Sequence, residues 1–287
     1  MPRFDYVRAS NVEEATRLLS EPGLVSRPLA GGTDLLVYIR VSREKPPFDR
    51  VVDISRVPEM KAIELRHGEI IIGAAVTYTE AEESALLREF AVCLVEACLT
   101  VGGPAIRNTG TIGGNVINAA ACADAVPALV CLEASAHIRS ASFERSLPVT
   151  DLIEGPNRAG LGSGELLTHF SLPAPPRGAL SSFTKLGRRN AQAISRLSVA
   201  AAGRLDSGGR VDYVRLATGA ATPRSQRYPE VEAMLMGERP TDALLAEAGA
   251  RTAEAMIGVT GRRWSTEYKE IAIQALAERT LRRVLCR

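Results

Sequence analysis

The chain has 287 residues, 46% of them hydrophobic and 24% charged, which is the composition of a globular protein able to bury a core. A net charge of +2 gives no field that would mark a nucleic-acid-binding protein, and no apolar run reaches the roughly 20 residues of a membrane span. The first five residues, Met-Pro-Arg-Phe-Asp, lack the apolar stretch of a signal peptide, so we expect a cytoplasmic location.

The first 58 residues alternate between predicted helices and strands. Ser10 is predicted to cap a helix, with Glu13 reaching back to complete a capping box. Strands are predicted at residues 27–30 and 50–54, with a helix at Leu35–Val41 between them.

From residue 62 the pattern becomes mixed. Residues 62–65 and 69–73 flank His67-Gly68 and predict a hairpin. A single helix is predicted over residues 84–99, and further strands at residues 134–140 and 165–172.

A rigid linker is predicted at residues 173–176, Pro-Ala-Pro-Pro. Strands at residues 181–186, 194–205 and 211–219 follow it, and then helices at residues 228–236, 241–257 and 267–285. The fold class is therefore α+β. Residues 1–175 form one domain, with subdomains at about 1–58 and 59–175, and residues 176–287 form a domain of antiparallel strands followed by helices.

Two glycine-rich segments stand where short apolar runs end. The first glycine segment is residues 30–34, Ala-Gly-Gly-Thr-Asp, and the second is residues 111–115, Thr-Ile-Gly-Gly-Asn. Glycine admits positive φ and close approach of a ligand, and successive amides in such turns form anion-binding nests. Two such segments can aim two sets of amides at one pyrophosphate. The alternative is that each is only a tight connection between elements.

Other phosphate-binding and catalytic motifs are excluded. A P-loop needs a Gly-Lys pair, which the chain lacks, and neither segment supplies the G-x-G-x-x-G of a Rossmann unit. Residues 160–164, Gly-Leu-Gly-Ser-Gly, precede a predicted strand and favour a surface loop. The five cysteines contain no C-x-x-C pair and the three histidines are far apart, which excludes an iron–sulfur or zinc site.

The glycine segments also resemble the cofactor-binding turns of a known family. The chain is similar over its whole length to the FAD-binding medium subunit of the molybdenum hydroxylases, the xanthine dehydrogenase and carbon monoxide dehydrogenase family. The resemblance is carried by residues 29–35, 106–115 and 183–195. It implies a two-subdomain FAD-binding domain of the vanillyl-alcohol-oxidase/PCMH type. It also implies a C-terminal domain like that of the CO dehydrogenase flavoprotein.

The resemblance also implies which residues bind FAD. Gly31, Gly32 and Thr33 would hold the pyrophosphate together with Gly113, Gly114 and Asn115. Asp124 would accept hydrogen bonds from the ribityl chain, although it could instead be a helix N-cap. The complete implied set is Leu29, Ala30, Gly31, Gly32, Thr33, Asp34, Leu35, Gly110, Thr111, Gly113, Gly114, Asn115, Ile117, Asp124, Leu166, Leu167 and Lys185.

Four of the matched positions concern the flavin ring. Leu166 and Leu167 match positions beside it, and a plain buried strand explains them equally well. Lys185 and Arg189 fall near the ring in the matched segment, where a cation could stabilise the reduced flavin; the alternative is a solvated basic strand end. Related dehydrogenases carry acidic residues after the paired arginines, where this chain has residues 190–192, Asn-Ala-Gln.

The function implied by the resemblance is electron transfer within a hetero-oligomeric oxidoreductase. The chain would take electrons from the [2Fe-2S] clusters of a small iron–sulfur subunit into FAD and pass them to NAD or another acceptor. The molybdenum cofactor would lie on a large molybdopterin subunit, and the substrate would be a purine or another N-heterocycle. The chain itself would hold no metal and no catalytic residue. Two alternatives stay open: a self-sufficient flavin oxidase of the vanillyl-alcohol-oxidase type, and a cofactor-free scaffold subunit.

Overall fold

The structure, a computed structural model, describes residues 4–41 and 47–286. Residues 1–3, which were used above to predict that there is no signal peptide, lie outside the described residues. Its amino-terminal part is a small parallel sheet with strand order β1-β3-β2. The elements in chain order are β1 Asp5–Arg8, α1 Val12–Leu19, β2 Ser26–Leu29, α2 Leu35–Val41 and β3 Arg50–Asp53. The predicted alternation of strand and helix is confirmed.

The predicted capping box is wrong by one residue. The N-cap of α1 is Asn11, whose side-chain oxygen accepts the Glu14 amide at 2.8 Å. The carboxylate that reaches back belongs to Glu14, and it accepts the amide and the hydroxyl of Ser10 at 2.8 and 2.6 Å. Because Asn is as good a cap as Ser, the two registers compete, and Asn11 takes the extended backbone that a cap requires.

The next region is built on an antiparallel sheet of five strands, in the order β4-β5-β10-β6-β7. The hairpin predicted at His67-Gly68 is confirmed, and both of these residues have positive φ. A two-stranded ribbon, β8-β9, lies apart from the main sheet. The strands are β4 Ile63–Arg66, β5 Glu69–Gly73, β6 Ser135–Arg139, β7 Glu144–Pro148, β8 Ile153–Gly155, β9 Arg158–Ala159 and β10 Leu166–Pro173.

Short helices surround this sheet. The single helix predicted over residues 84–99 is wrong, because the chain breaks at the buried residue Ala91 (φ −137°, ψ 45°) into two helices. A 3₁₀ turn, Pro58–Met60, precedes β4. The helices are α3 Tyr78–Glu83, α4 Ala85–Phe90, α5 Val92–Leu99, α6 Pro104–Arg107, α7 Ile112–Asn118, α8 Ala125–Cys131 and α9 Val149–Leu152.

The carboxyl-terminal part has the three predicted strands and three predicted helices, together with a short fourth strand, Gln226–Arg227, that was not predicted. The strand predicted from residue 194 begins only at Leu197, so residues 187–196 form a loop, which we call the 187–196 loop. The elements are β11 Leu180–Leu186, β12 Leu197–Leu205, β13 Val211–Gly219, β14 Gln226–Arg227, α10 Pro229–Leu235, α11 Asp242–Thr260 and α12 Thr266–Leu285.

The sheet of the carboxyl-terminal part is buried on both faces. Alternate residues of β12 point to opposite sides. Val199 and Ala201 belong to the core shared with α11 and α12. Ala200 and Ala202 belong instead to the core of the amino-terminal region, together with Phe183. The two regions therefore meet across a continuous apolar layer, with α5 and α8 against the sheet.

Two histidines on the outer face of the five-stranded sheet should titrate at low pH. The rings of His137 and His169 stack with centroids 4.2 Å apart. Burial, together with the neighbouring His137, lowers the pKa of His169 to about 4. Since this pKa lies below the value of about 6.5 in an unfolded chain, the unfolded chain binds more protons between these values. We expect the His169 ring signal to titrate near pH 4 by NMR, and stability to fall as pH drops from 6.5. A midpoint near 6.5 would contradict this.

The remaining sequence-wide features concern membranes, metals and thiols. No helix within residues 4–41 and 47–286 is long and apolar enough to cross a membrane. Among the same residues, no group of three or more His, Cys, Asp or Glu side chains is arranged to hold a metal ion. All five cysteines are free, and Cys93, Cys98 and Cys131 are buried.

Candidate cofactor site

The first glycine segment lies against residues 109–110, which directly precede the second glycine segment, although about 80 residues separate them in sequence. A Cβ atom placed on Gly31 would lie 1.9 Å from the carbonyl oxygen of Thr109 and 2.8 Å from Cα of Gly110. The side-chain amide of Asn118 in α7 donates to the Asp34 carboxylate at 3.1 Å. The backbone at position 31 thus approaches that of Thr109 and Gly110 so closely that only glycine fits there. That both segments border one cofactor site stays a prediction.

The first segment presents free amide donors. Gly32 has φ +72°, the left-handed conformation that glycine favours. The amides of Gly31, Gly32, Thr33 and Asp34 have no acceptor in the part of the chain that the structure describes. The carbonyls of Gly32 and Asp34 are used instead, because they accept the first hydrogen bonds of α2. Successive unpaired amides of this kind fit an anion.

The second segment differs from its prediction as a loop with free amides. It forms the start of α7, with Thr111 as N-cap. The amides of Ile112 and Gly113 donate to the carbonyls of Val76 and Ala74 at 2.9 and 3.0 Å. Those of Gly114 and Asn115 donate to the side chain and the carbonyl of Thr111, both at 3.0 Å. The expectation of a second amide nest is thus wrong.

Thr111 nevertheless keeps one unpaired donor. Its amide is buried and has no acceptor among the described residues. An unpaired buried amide costs free energy unless a ligand accepts from it. This amide and the four free amides of the first segment are the donors that fit a pyrophosphate.

Gly113 of the second segment, and Gly110 just before it, serve close packing. A Cβ on Gly113 would lie 2.5 Å from the Ala74 carbonyl oxygen, and one on Gly110 would lie 2.8 Å from the Tyr78 ring and 3.4 Å from the Thr33 hydroxyl. Gly114 is exposed at the start of α7. Its side-chain position is close only to the Thr111 hydroxyl, at 2.9 Å. Of the three, Gly114 is the one whose missing side chain leaves room on the outer surface.

Asn115 takes the capping role that the sequence offered as the alternative for Asp124. Asp124 precedes α8, yet its side chain makes no capping bond. The Asn115 side-chain oxygen caps α8 instead, accepting the amide of Ala125 at 3.3 Å. The N-cap alternative for Asp124 is therefore wrong, and its carboxylate is directed elsewhere.

The carboxylate of Asp124 binds two residues of the carboxyl-terminal region. Lys185 lies 2.6 Å from Oδ2, and the hydroxyl of Ser195 donates to Oδ1 at 2.5 Å. The lysine also donates to the carbonyl of Thr100 at 3.2 Å. Burial raises the pKa of Asp124, and the contacts with Lys185 and Ser195 partly offset that rise. Each carboxylate oxygen keeps further lone pairs for a ligand hydroxyl.

Lys185 and Arg189 do not form a joint cation pair on one ligand. The positive charge of Lys185 is balanced by Asp124. Arg189 is exposed on the 187–196 loop and donates to the carbonyls of Ala191 and Gln192 at 3.0 and 2.7 Å. The guanidinium therefore holds the loop in a turn. Its acceptors are neutral carbonyls, so they do not balance its positive charge.

Two of the six apolar residues in the implied set are buried, and the other four are half-buried. Leu166 and Leu167 are each 3% exposed and belong to the main core, which fits the plain buried strand. Ile117 and Ala30 pack on that core, while Leu29 and Leu35 pack on a smaller cluster around Ile39. Contact of any of these side chains with a flavin stays a prediction.

The sequence did not point to Tyr78 or Thr100. Tyr78 is buried against Gly110, and its pKa is raised by burial and by the nearby acidic groups of Cys98, Asp34 and Asp124. The capping box of α3, between Thr77 and Glu80, is a local signal that could have placed this helix. Thr100 accepts from Lys185 through its carbonyl, and its side chain helps to offset the raised pKa of Asp124.

The described elements form an amino-terminal α+β region and a carboxyl-terminal region of sheet and helices, and the two glycine segments are the candidate cofactor site. Residues 2–175 match the FAD binding domain in molybdopterin dehydrogenase, and residues 181–284 match the CO dehydrogenase flavoprotein C-terminal domain.

Whole proteins with these domains are similar over most of their length. The nicotinate dehydrogenase FAD-subunit of Eubacterium barkeri is 29% identical, over 96% of this chain and 94% of that protein. The putative xanthine dehydrogenase FAD-binding subunit of Escherichia coli is 33% identical, over 79% and 77% respectively. A chain of the reconstituted CO dehydrogenase from Oligotropha carboxidovorans superposes with a TM-score of 0.90 at 26% identity, over 100% of this chain and 99% of that one.

The chain belongs to the family of FAD-binding subunits of the molybdenum hydroxylases, the xanthine dehydrogenase and CO dehydrogenase type. It is accordingly an oxidoreductase subunit that binds FAD. The molybdopterin cofactor and the iron–sulfur clusters of such complexes reside on other subunits.

Proposed function

We propose that the chain passes electrons from the [2Fe-2S] clusters of a partner subunit, by way of FAD, to NAD or another soluble acceptor. The observation that carries this proposal is the close approach of Gly31 to residues 109–110, beside four unpaired amides at residues 31–34 and a fifth at Thr111. FAD supplies the ability to accept single electrons and release a pair. The residues of the chain hold and orient the cofactor, and none is placed as a nucleophile or general base.

Each part of the site has a separate role in this proposal. The amides of residues 31–34 and of Thr111 bind the pyrophosphate, and Asp124 accepts from the ribityl hydroxyls. Lys185 and Ser195 keep that carboxylate in place from the other domain. Asp124 and Lys185 belong to different domains in this proposal, which is supported by the family matches: one ends at residue 175 and the other begins at residue 181.

Substrate, partners and location extend the proposal. The relatives named for nicotinate and xanthine both concern nitrogen heterocycles, which supports a purine or another N-heterocycle as the substrate of the complex. The partners would be a small iron–sulfur subunit and a large molybdopterin subunit. A cytoplasmic location is supported by five free thiols, three of them buried, since reduced cysteines persist in that compartment.

The test of this function is rapid kinetics on the purified complex. The chain should carry about one FAD, and addition of substrate to the complex should bleach the flavin band. Stopped-flow mixing of the reduced complex with NAD, and separately with O₂, should identify the acceptor by its faster reoxidation. A colourless chain that takes up no FAD on reconstitution would refute the proposal. Reduction of the isolated chain by a small substrate would favour the oxidase alternative.

Gly114→Val tests the placement of the cofactor at the start of α7. The glycine is exposed, and its new Cβ would lie 2.9 Å from the Thr111 hydroxyl that caps α7, so the variant should fold at a cost of roughly 0.5–2 kcal/mol from the disturbed cap. Its added methyl groups should narrow the cradle and weaken FAD binding by roughly tenfold or more. Fluorescence titration of the apoprotein with FAD measures this. Unchanged affinity in a folded variant would show that this surface does not face the cofactor.

A further inference from the structure

The turn between α11 and α12 carries a cluster of exposed apolar side chains, which we call the hairpin tip. Its members are Val259, Trp264, Tyr268 and Ile271, with exposed fractions of 53%, 94%, 53% and 72%. Val259 lies in the last turn of α11 and Trp264 on the connection, while Tyr268 and Ile271 lie three residues apart on one face of α12. Single exposed apolar side chains need no explanation, but a contiguous group of them indicates a contact surface.

The rest of the hairpin shows that the tip does not serve the fold. The core between the two helices is formed by other side chains, such as Met256 and Ile273. Outward positions farther from the turn are charged: Arg251 pairs with Glu254 on α11, and Arg282 on α12 pairs with two carboxylates. The large apolar side chains that are exposed on these two helices, both of which the structure describes in full, all lie at the tip.

Three cations stand beside the tip without a carboxylate partner. Burial, together with the nearby charges of Arg196 and Arg263, lowers the pKa of Lys269, so the three side chains are neighbours. Arg263 donates to the neutral carbonyl of Thr260 at 3.1 Å. None of the three forms an ion pair with a carboxylate that the structure describes. Clustered like charges of this kind are favourable against a surface of opposite sign.

The acidic groups at the tip do not cancel these charges. Glu270 lies 3.0 Å from Arg262 and compensates that arginine. Glu267, in the first turn of α12, is exposed and has no ion pair within the described part of the chain. Three unpaired cations and one unpaired carboxylate leave a net charge of +2 at the tip. A partner that fits this surface is therefore acidic around an apolar centre.

Hydrogen bonds connect the tip to the candidate cofactor site. Lys269 donates to the carbonyl of Ala220 at 3.1 Å, and the amide of Ala220 donates to the carbonyl of Ala121 at 3.1 Å. Ala121 lies three residues before Asp124, the residue proposed to bind the ribityl chain. A protein bound at the tip would therefore lie beside the flavin end of the proposed site.

The size and the charge of the tip favour a transient partner over a permanent subunit. A stable interface takes roughly 20–30 residues a side and has few charges at its centre. The tip offers four apolar side chains with cations beside them, which is typical of the small contacts made by redox proteins. Electrostatic attraction at such contacts speeds the encounter more than it tightens the complex.

We propose that the hairpin tip docks a small one-electron carrier protein with an acidic surface. This carrier is the soluble acceptor of the function proposed above, on which the inference rests. The apolar side chains of the tip pack against the centre of the carrier's contact surface, and the three cations lie against its carboxylates. Each oxidised carrier accepts one electron, so two carriers reoxidise one two-electron-reduced FAD, and two protons pass to water.

The test is anaerobic stopped-flow reduction of two carrier proteins by the substrate-reduced complex. Plastocyanin is the acidic probe and cytochrome c is the basic one. Raising the salt concentration should slow the reduction of plastocyanin and speed that of cytochrome c, because salt screens attraction and repulsion alike. Calorimetric titration of the oxidised complex with plastocyanin should show binding that weakens with salt, a readout that does not depend on turnover.

Two variants separate the charged and the apolar contributions of the tip. Both side chains are exposed, so Arg263→Glu and Trp264→Ala should keep the fold and the FAD content. Arg263→Glu should slow plastocyanin reduction by roughly tenfold or more and speed that of cytochrome c. Trp264→Ala should weaken plastocyanin binding by about threefold or more at every salt concentration. The matched control is Arg251→Glu, an exposed reversal away from the tip, which should change either rate less than about twofold.

Three outcomes would overturn the inference. The first is the same salt dependence for both carriers, and the second is an equal effect of Arg263→Glu and Arg251→Glu. The third is loss of a partner subunit from either tip variant on size-exclusion chromatography, since the tip would then be a permanent subunit contact. FAD separates the two proposals. A yellow complex that substrate bleaches but that shows no preference for the acidic carrier contradicts this inference alone, whereas a chain without FAD contradicts the proposed function.

Discussion

Gly31→Ala is expected to abolish stable FAD binding. The new Cβ would lie 1.9 Å from the carbonyl oxygen of Thr109 and 2.6 Å from its carbon. These are backbone atoms, so the clash can be relieved only by separating the two glycine segments. That movement displaces the amides of residues 31–34 from the buried amide of Thr111. We expect FAD affinity to fall by about 100-fold or more, and the free energy of unfolding to fall by roughly 1–3 kcal/mol.

The measurement is FAD per chain after reconstitution, read from the visible absorbance, with a thermal melt on the same samples. Gly155→Ala is the matched control, because a Cβ there meets no atom within 4 Å and the residue does not have positive φ. It should retain full FAD content. A Gly31→Ala protein with full FAD content and an unchanged melting temperature would show that the two segments do not need their close contact.

Lys185→Met is expected to be the most destabilising single change at the domain junction. The side chains of Lys185 and Asp124 are 10% and 8% exposed, so the change leaves a buried carboxylate without its cation. Breaking a buried pair in this way costs about 3–5 kcal/mol. Urea unfolding of the apoprotein at pH 8 measures the loss. FAD affinity should fall as well, because the unpaired carboxylate no longer has a fixed position.

The pH dependence of this variant gives an independent test. Without the lysine, burial should raise the pKa of Asp124 further above its unfolded value of about 3.9. A carboxyl group with a raised folded pKa favours the folded state at low pH, and that contribution is lost as pH rises through the folded pKa. The deficit of Lys185→Met should therefore be smaller at pH 5 than at pH 8. An equal deficit at both values would contradict the mechanism.

Lys61→Met is the control for loss of a lysine charge. Lys61 and Glu80 also lie 2.6 Å apart, but their side chains are 30% and 44% exposed. Because water screens such a pair, we expect a loss below about 1 kcal/mol. Adding Asp124→Asn to Lys185→Met removes the stranded charge and should recover part of the stability. No recovery would point to lost packing of the lysine stem as the main cause.

The sequence predicted those elements whose signals are local. The His67-Gly68 hairpin, strand β13 and helix α12 follow from turn residues and periodicity over adjacent positions. The break at Ala91 could not be predicted, because alanine is the strongest helix former. The break arises from tertiary contact: the amide of Cys93, just after it, donates at 3.0 Å to the Ser181 hydroxyl of β11, 88 residues away.

The 187–196 loop was mispredicted for a related reason. Ile194 is β-branched and stands before an apolar run, which indicates a strand. In the structure it is 76% exposed, and the ladder with β11 begins only at Leu197. Ser195, two residues earlier, turns toward Asp124 instead of pairing with a strand. The hydrophobic pattern of residues 194–197 does not show whether Ser195 pairs in a strand or turns toward Asp124.

At the cofactor site, the glycine composition predicted which segments come together but not what their amides do. The amides of Ile112 and Gly113 are paired with carbonyls at residues 74–76, just after β5. That pairing depends on how the five-stranded sheet approaches α7, which no local motif encodes. That Asn115 and not Asp124 caps α8 has the same origin, since both residues are acceptable helix caps in sequence.

The polar bonds across the domain junction also set an order of events during synthesis. The partners of the Asp124 carboxylate, Lys185 and Ser195, are synthesised after it. The same holds for the Glu96 carboxylate, which accepts from the hydroxyl of Ser182 and the amide of Phe183. A ribosome delivers the amino-terminal domain first, at about 5–20 residues per second. For several seconds the nascent domain thus holds two carboxylates without partners. We expect cofactor capture to follow release of the second domain, and fragments ending near residue 175 to need chaperones.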